Sequence, residues 1–153
     1  MNADDWNRLA YHSRVLVHHV SRLMGALTQP MPSSEPGDSH EPREGREGRD
    51  QMLHPIASDA GIALEALLAH MARAPELAAH VRTIQRFDIS LGAWRRTVGE
   101  GSPLMARYQT ALLQQAAQVV TSCLHVAALS ESESARVLVA RNDLGGRASP
   151  PPP

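Results

Sequence analysis

Lysine is absent from this sequence, and all fifteen of its basic residues are arginine. The absence excludes three kinds of site: a P-loop lysine, a Schiff-base lysine and a lysine regulated by acetylation. Enrichment in arginine and alanine without lysine is also typical of GC-rich, bacterial coding DNA, which describes codon usage and leaves function open.

Cysteine and aromatic residues are nearly as scarce. Cys123 is the single cysteine, so an internal disulfide is excluded, and its apolar helical context favours a buried, unreactive thiol over a nucleophile. Aromatic residues make up 3% of the chain, and no run alternates β-branched or aromatic residues with polar ones as strands do. The sequence therefore predicts an all-α protein with a core of Leu, Val, Ala and Met.

A strong excess of charge is missing too. The formal net charge is −1, and the most charged segment, residues 29–53, carries three arginines against six acidic residues. Four arginines fall on the predicted third helix: Arg82, Arg86, Arg95 and Arg96. Few aromatic residues are present in the chain to stack on bases beside them. We therefore expect no nucleic-acid partner and no attraction to anionic membranes.

Targeting and membrane signals are weak. The N-terminal stretch MNADDWNRLAY is acidic and lacks the positive region and apolar core of a signal peptide. From Tyr108 to Ser130 no charged residue occurs over 23 residues, but glutamine, threonine, serine and histidine interrupt the run. A spanning helix needs about 20 predominantly apolar residues. We interpret the segment as amphipathic and expect a cytoplasmic protein.

Four stretches have helical periodicity. In the first, about Ala3–Leu27, apolar residues recur in alternating steps of three and four, the heptad stripe of a bundle helix. The other predicted helices cover about Pro55–Arg73, Pro75–Val98 and Pro103–Leu129. Long amphipathic helices with mostly short connections predict an up-down four-helix bundle.

The remaining segments divide the chain. Residues 29–53 contain four prolines and many charges, which predicts a disordered linker between helix 1 (residues 1–28) and the rest of the bundle (residues 54–144). The sequence SESE, Ser130–Glu133, matches a capping box and predicts either a short fifth helix or a kinked continuation of helix 4. Residues 145–153 form a proline-rich tail, which we expect to be disordered.

Three histidines lie close together on helix 1, at His12, His18 and His19. His12 and His19 share one side, but seven residues separate them by about 10 Å along the axis, so they cannot chelate one ion unaided. Other predicted helices carry His70, His80 and His125. A site assembled across helices is geometrically possible, but the Glu-x-x-His pairs of di-iron bundles are absent. We expect no metal, cofactor or catalytic residue.

Two polar residues, His80 and Asp88, fall within the apolar stripe of helix 3. Buried polar groups need partners, so we expect one of them to bond across to Tyr108 or Ser13. They lie eight residues apart on one helix, which is too far for a catalytic pair.

The stretch from Arg14 to His19 reads RVLVHH, which is similar to the Arg-x(4–6)-His element of HEPN-type ribonucleases. The polar residue that often follows the arginine in that family is replaced here by Val15. Among fifteen arginines and eight histidines, a chance match is expected. The sequence identifies no family, and an HEPN-like ribonuclease remains an alternative.

A second apolar row on helix 4 gives the main functional hypothesis. Leu113, Val120 and Leu124 lie roughly 120–160° around the helix from its main apolar face, so more than half of its circumference is apolar. The row could be covered by helix 1 or by the segment near residues 137–139, or it could form an interface. We predict a non-enzymatic helical interaction module that binds a second copy of itself or another helical protein. The alternative is a metal-binding bundle or an HEPN-like ribonuclease that uses the helix 1 histidines.

Overall fold

The computed structural model describes residues 1–28, 42–100 and 105–147, with side chains over residues 1–28, 53–97 and 107–143. Within these ranges the chain contains helices and no strands, as predicted. The helices are α1 (Ala3–Thr28), α2 (Pro42–Met71), a 3₁₀ turn (Pro75–Leu77), α3 (Ala78–Glu100) and α4 (Met105–Arg147).

The four helices form an antiparallel bundle in which α1 packs against α2 and α4, and α3 packs against the same two helices. Two hydrogen bonds fix the direction of α4 along α1. Gln109, near the start of α4, donates to the carbonyl of Leu27 near the end of α1, and Ser134 donates to the carbonyl of Ala3. The all-α bundle inferred from heptad spacing is therefore confirmed.

The core is built along the predicted stripe of α1. Its heptad positions are buried without exception: Trp6, Leu9, Ser13, Leu16, Val20, Leu23 and Leu27. Ser13 fits among them because its hydroxyl donates to the carbonyl of Leu9 at 2.7 Å, which satisfies the buried polar group. Each fully buried leucine contributes about 1.5–3 kcal/mol, so this stripe is a major source of stability.

Helix α2 is longer than the sequence predicted. It begins at Pro42 and contains Pro55 within it, so residues 42–53 are helical although they were assigned to the linker. Pro42 is tolerated at the start of the helix, because the N–H group that proline lacks would have no helical partner at that position. Leu53 is buried in the core, which anchors the helix N-terminal to Pro55. Residues 29–41 of the predicted linker lie outside the described residues.

Helix α4 continues without a break from Met105 to Arg147, which favours the predicted continuation over a separate fifth helix. Ser130, the first residue of the predicted capping box, is instead buried on the inner side of this helix, and so is Ser134. Small side chains allow α4 to lie close to the first turn of α1, where Ser134 bonds to Ala3. Residues 145–147, predicted as the start of the disordered tail, are helical because α4 continues to Arg147. The rest of the predicted tail lies outside the described residues.

Candidate functional site

The apolar row of α4 lies at the edge of the core. Leu113 and Val120 are half-buried and pack against the core, whereas Leu124 is 52% exposed. The row is closer to the buried side than predicted, because small residues extend that side toward it: Ala116, Cys123, Ala127 and Ser130. Tyr108, predicted on the main buried face, is 36% exposed.

The row borders α1. Glu131 forms an ion pair with Arg14 of α1, and it lies seven residues after Leu124, which places both on one side of α4 at about 100° per residue. By the same spacing, Val17 follows Arg14 by three residues and Met24 follows Val17 by seven, so they lie on the side of α1 that meets α4.

We call the surface along this seam the α1–α4 face. It comprises Val17, Met24, Leu113, Val120 and Leu124. All but Leu124 are half-buried against the core. From Tyr108 to Ser130, α4 carries no charged residue, and the Arg14–Glu131 pair closes one end of the face. The α1–α4 face is therefore apolar, uncharged and partly open to solvent.

Helix α4 is also long and apolar enough to cross a membrane by length and composition. Its 18-residue window lies within Arg107–Asp143, and 33% of the window is buried inside the bundle. A core helix of a soluble protein passes the same test. The buried share lies on the side that contacts α1 and α3, which agrees with an amphipathic helix.

The structure brings together two histidines that the sequence left apart. His12 of α1 and His70 of α2 are half-buried, and their ring centroids lie 4.4 Å apart with an interplanar angle of 42°. Burial, His70 and Arg8 lower the pKa of His12. His70 donates from Nδ1 to the carbonyl of Ala66 at 2.8 Å.

The other histidines of helix 1 are arranged as their spacing predicted. His19 is half-buried on the same side as His12, and its buried Nδ1 atom has no hydrogen-bond partner within the part of the chain that the structure describes. His18 is exposed. The ring centroids of His18 and His19 lie 5.3 Å apart in an edge-to-face arrangement, as expected for chain neighbours.

His80 and Asp88 are half-buried on α3, and neither bonds to Ser13 or Tyr108 in the described part of the chain. His80 instead faces His125 of α4 with ring centroids 6.1 Å apart. Burial and His125 lower the pKa of His80.

Asp88 lines a depression of about 150 Å³ between α2 and α3, together with Glu65 and Arg95. Burial and the neighbouring Glu65 raise the pKa of Asp88. The depression is open to solvent, and no ion pair within 4.0 Å joins its three charged side chains in the described residues. It combines both signs of charge with an apolar floor from Leu91, so it favours no single ligand class.

The two residues of the HEPN-like element lie on different sides of α1. Arg14 pairs with Glu131 on the α4 side of α1, whereas five positions later His19 is rotated by about 140° at 100° per residue. Their side chains therefore leave α1 in different directions.

Cys123 is buried, as predicted, and burial raises the pKa of its thiol to about 12.

Over the described residues, no group of three or more His, Cys, Asp or Glu side chains could hold a metal ion. The α1–α4 face is an apolar surface partly open to solvent, and the His12–His70 pair brings two imidazoles from different helices together. No protein-family model, curated protein or solved structure matches this chain, so these two arrangements carry the functional argument.

Proposed function

We propose that the protein is a non-enzymatic helical interaction module that forms a homodimer through the α1–α4 face. The observation that carries the proposal is Leu124, which is 52% exposed although it belongs to the apolar α1–α4 face. Burying a leucine side chain contributes about 1.5–3 kcal/mol, so this surface gains free energy when it is covered.

The charge pattern supports a second copy as the partner. An interface core without charged residues favours an equally apolar and neutral partner surface. The α1–α4 face has that chemistry itself, and a twofold axis through it would place Leu124 of one protomer against the corresponding face of the other. Each protomer would contribute the antiparallel helices α1 and α4 to the interface, so the two protomers would pack there as a second set of four helices.

Sedimentation equilibrium of the full chain over a wide concentration range tests this proposal. We expect a monomer–dimer equilibrium, and we expect Leu124→Arg to weaken association at least about tenfold, since a buried unpaired charge opposes the interface. Leu124 is exposed, so the variant should keep the helical circular dichroism of the wild-type protein. Val120 is less suitable for this change because it packs against the core.

Ile89→Arg is the matched control. Ile89 is 72% exposed on α3, and the same substitution there should leave association unchanged. A wild-type chain that stays monomeric at all concentrations contradicts the proposal, and so does equal association by the Leu124→Arg variant. Flotation of the wild-type chain with neutral lipid vesicles, lost in Leu124→Arg, would assign the face to a membrane instead.

A further inference from the structure

The His12–His70 pair is independent of the α1–α4 face, since it lies in the seam between α1 and α2. Each imidazole comes from a different helix, and the ring centroids are 4.4 Å apart. Two histidine nitrogens that share one zinc ion at about 2.0–2.1 Å each lie roughly 3.3 Å apart in tetrahedral geometry. A centroid separation of 4.4 Å is short enough for one nitrogen of each ring to come within that distance once the side chains adjust.

The orientation of His70 is already fixed. Its Nδ1 atom lies 2.8 Å from the carbonyl oxygen of Ala66, and because a carbonyl can only accept, Nδ1 carries the proton. The lone pair is then on Nε2, at the far side of the ring. A backbone carbonyl that holds the second nitrogen of a histidine is the usual outer-shell support of metal-binding imidazoles.

His12 also has a cationic neighbour. Arg8 lies close enough to interact electrostatically with His12, and its positive charge opposes a metal cation, so we expect an affinity well below that of four-ligand structural zinc sites. Tyr11 packs its ring edgewise on His12 with centroids 5.3 Å apart.

We propose that His12 and His70 together bind one divalent late first-row transition ion, such as Zn²⁺, and that the ion cross-links α1 to α2. Water completes the coordination, since the described residues contain no third protein ligand at this place. The nearby carboxylate of Asp5 faces Arg73, with 3.6 Å between Oδ1 and Nη1. Imidazole suits Zn²⁺, Cu²⁺ and Ni²⁺ and disfavours Mg²⁺ and Ca²⁺.

Calorimetric titration of Zn²⁺ into the full chain at pH 7.5 tests this site. We expect one ion per chain, and we expect His12→Gln and His70→Gln each to weaken binding at least about tenfold, as loss of one of two ligands requires. Zn²⁺, but not Mg²⁺, should raise the midpoint of thermal unfolding of the wild-type protein, because it binds the folded state. Both effects should decline as the pH falls and protons compete for the imidazoles.

His18→Gln and His125→Gln are the controls, since His18 is exposed on the same helix and His125 belongs to the other interhelical pair. Both should bind Zn²⁺ like the wild-type protein. Absence of wild-type binding, unchanged binding in His12→Gln and His70→Gln, or loss of binding in either control would overturn the proposal. A stoichiometry of one ion per two chains would do so as well. Should one of the two ligand variants not fold, the other decides.

Discussion

His12 of α1 and His70 of α2 face each other across a helix seam with ring centroids 4.4 Å apart. Burial and the neighbouring His70 and Arg8 lower the pKa of His12 in this seam. His80 of α3 and His125 of α4 repeat the arrangement at 6.1 Å. The bundle thus contains two histidine pairs, each joining neighbouring helices.

The first prediction is that the bundle loses stability as the pH falls from about 7 to below 6. The pKa values of His12 and His80 are lower in the folded protein than the ordinary value of 6.5. The unfolded chain therefore takes up protons first as the pH falls through 6.5, which favours unfolding. The loss continues until the pH passes below the folded-state values, and above about pH 7.5 the stability is insensitive to these groups.

Urea unfolding at pH 7.5, 6.5 and 5.5 measures this dependence. His12→Gln removes a titrating group and should show a smaller loss between pH 7.5 and 5.5 than the wild-type protein. The exposed His18 provides the comparison, because His18→Gln should retain the full dependence. If the stability of the His12→Gln variant depended on pH as that of the wild-type protein does, the His12–His70 pair would not contribute to the pH dependence.

The second prediction concerns two buried serines of α4. The buried hydroxyl of Ser130 has no hydrogen-bond partner among the described residues, whereas that of Ser134 donates to the carbonyl of Ala3. Ser130→Ala should stabilise the bundle by about 1 kcal/mol, because it removes an unsatisfied polar group, and Ser134→Ala should destabilise it by about 0.5–1 kcal/mol.

Both substitutions gain the same small helix propensity of alanine, so the difference between the two variants isolates the hydrogen bond. Urea unfolding at pH 7.5 gives both free energies. Equal changes in the free energy of unfolding for Ser130→Ala and Ser134→Ala would contradict the prediction, because they would mean that the two hydroxyls have equivalent surroundings.

The third prediction is that Cys123 does not react while the protein is folded. Burial raises the pKa of its thiol to about 12, so the thiolate is almost absent at neutral pH and the sulfur is shielded from solvent. We expect labelling by a thiol-specific disulfide reagent at pH 8 to be at least about 100-fold slower than in denaturant, since it requires opening of the bundle.

A variant whose single cysteine is moved to an exposed position of α4 serves as the reference for this measurement. Thr121 is exposed two residues earlier on α4, so the double variant Thr121→Cys, Cys123→Ala should label rapidly without denaturant. Fast labelling of Cys123 in the folded wild-type protein would contradict the buried position.

The periodic parts of the fold could be predicted from the residues themselves. On α1 the step pattern of apolar residues identified the buried positions, including the serine slot at Ser13. The start of α2 was missed because Pro42 and the charged segment after it lack apolar periodicity. Leu53 gave the only local signal of burial there, and a lone leucine beside Pro55 does not reveal a helix.

The candidate sites were less accessible to sequence reasoning. The row of Leu113, Val120 and Leu124 was recognised, but its angle from the core was overestimated because alanine and serine give no hydrophobic signal. His70 was recognised at the edge of α2. The spacing of residues within one helix, however, does not predict which residue of the neighbouring helix His70 contacts. That choice depends on the relative register of α1 and α2.

The sequence by itself determined an all-helical chain, its inward stripes and its lack of a strong charge, because these follow from residue chemistry at a period of about 3.6. Only the tertiary structure decided that α4 continues past its serines, that Leu124 remains half-exposed and that His12 meets His70. Those outcomes depend on how far one helix slides and turns against another. The packing of all four helices sets that arrangement jointly, and no local stretch of sequence records it.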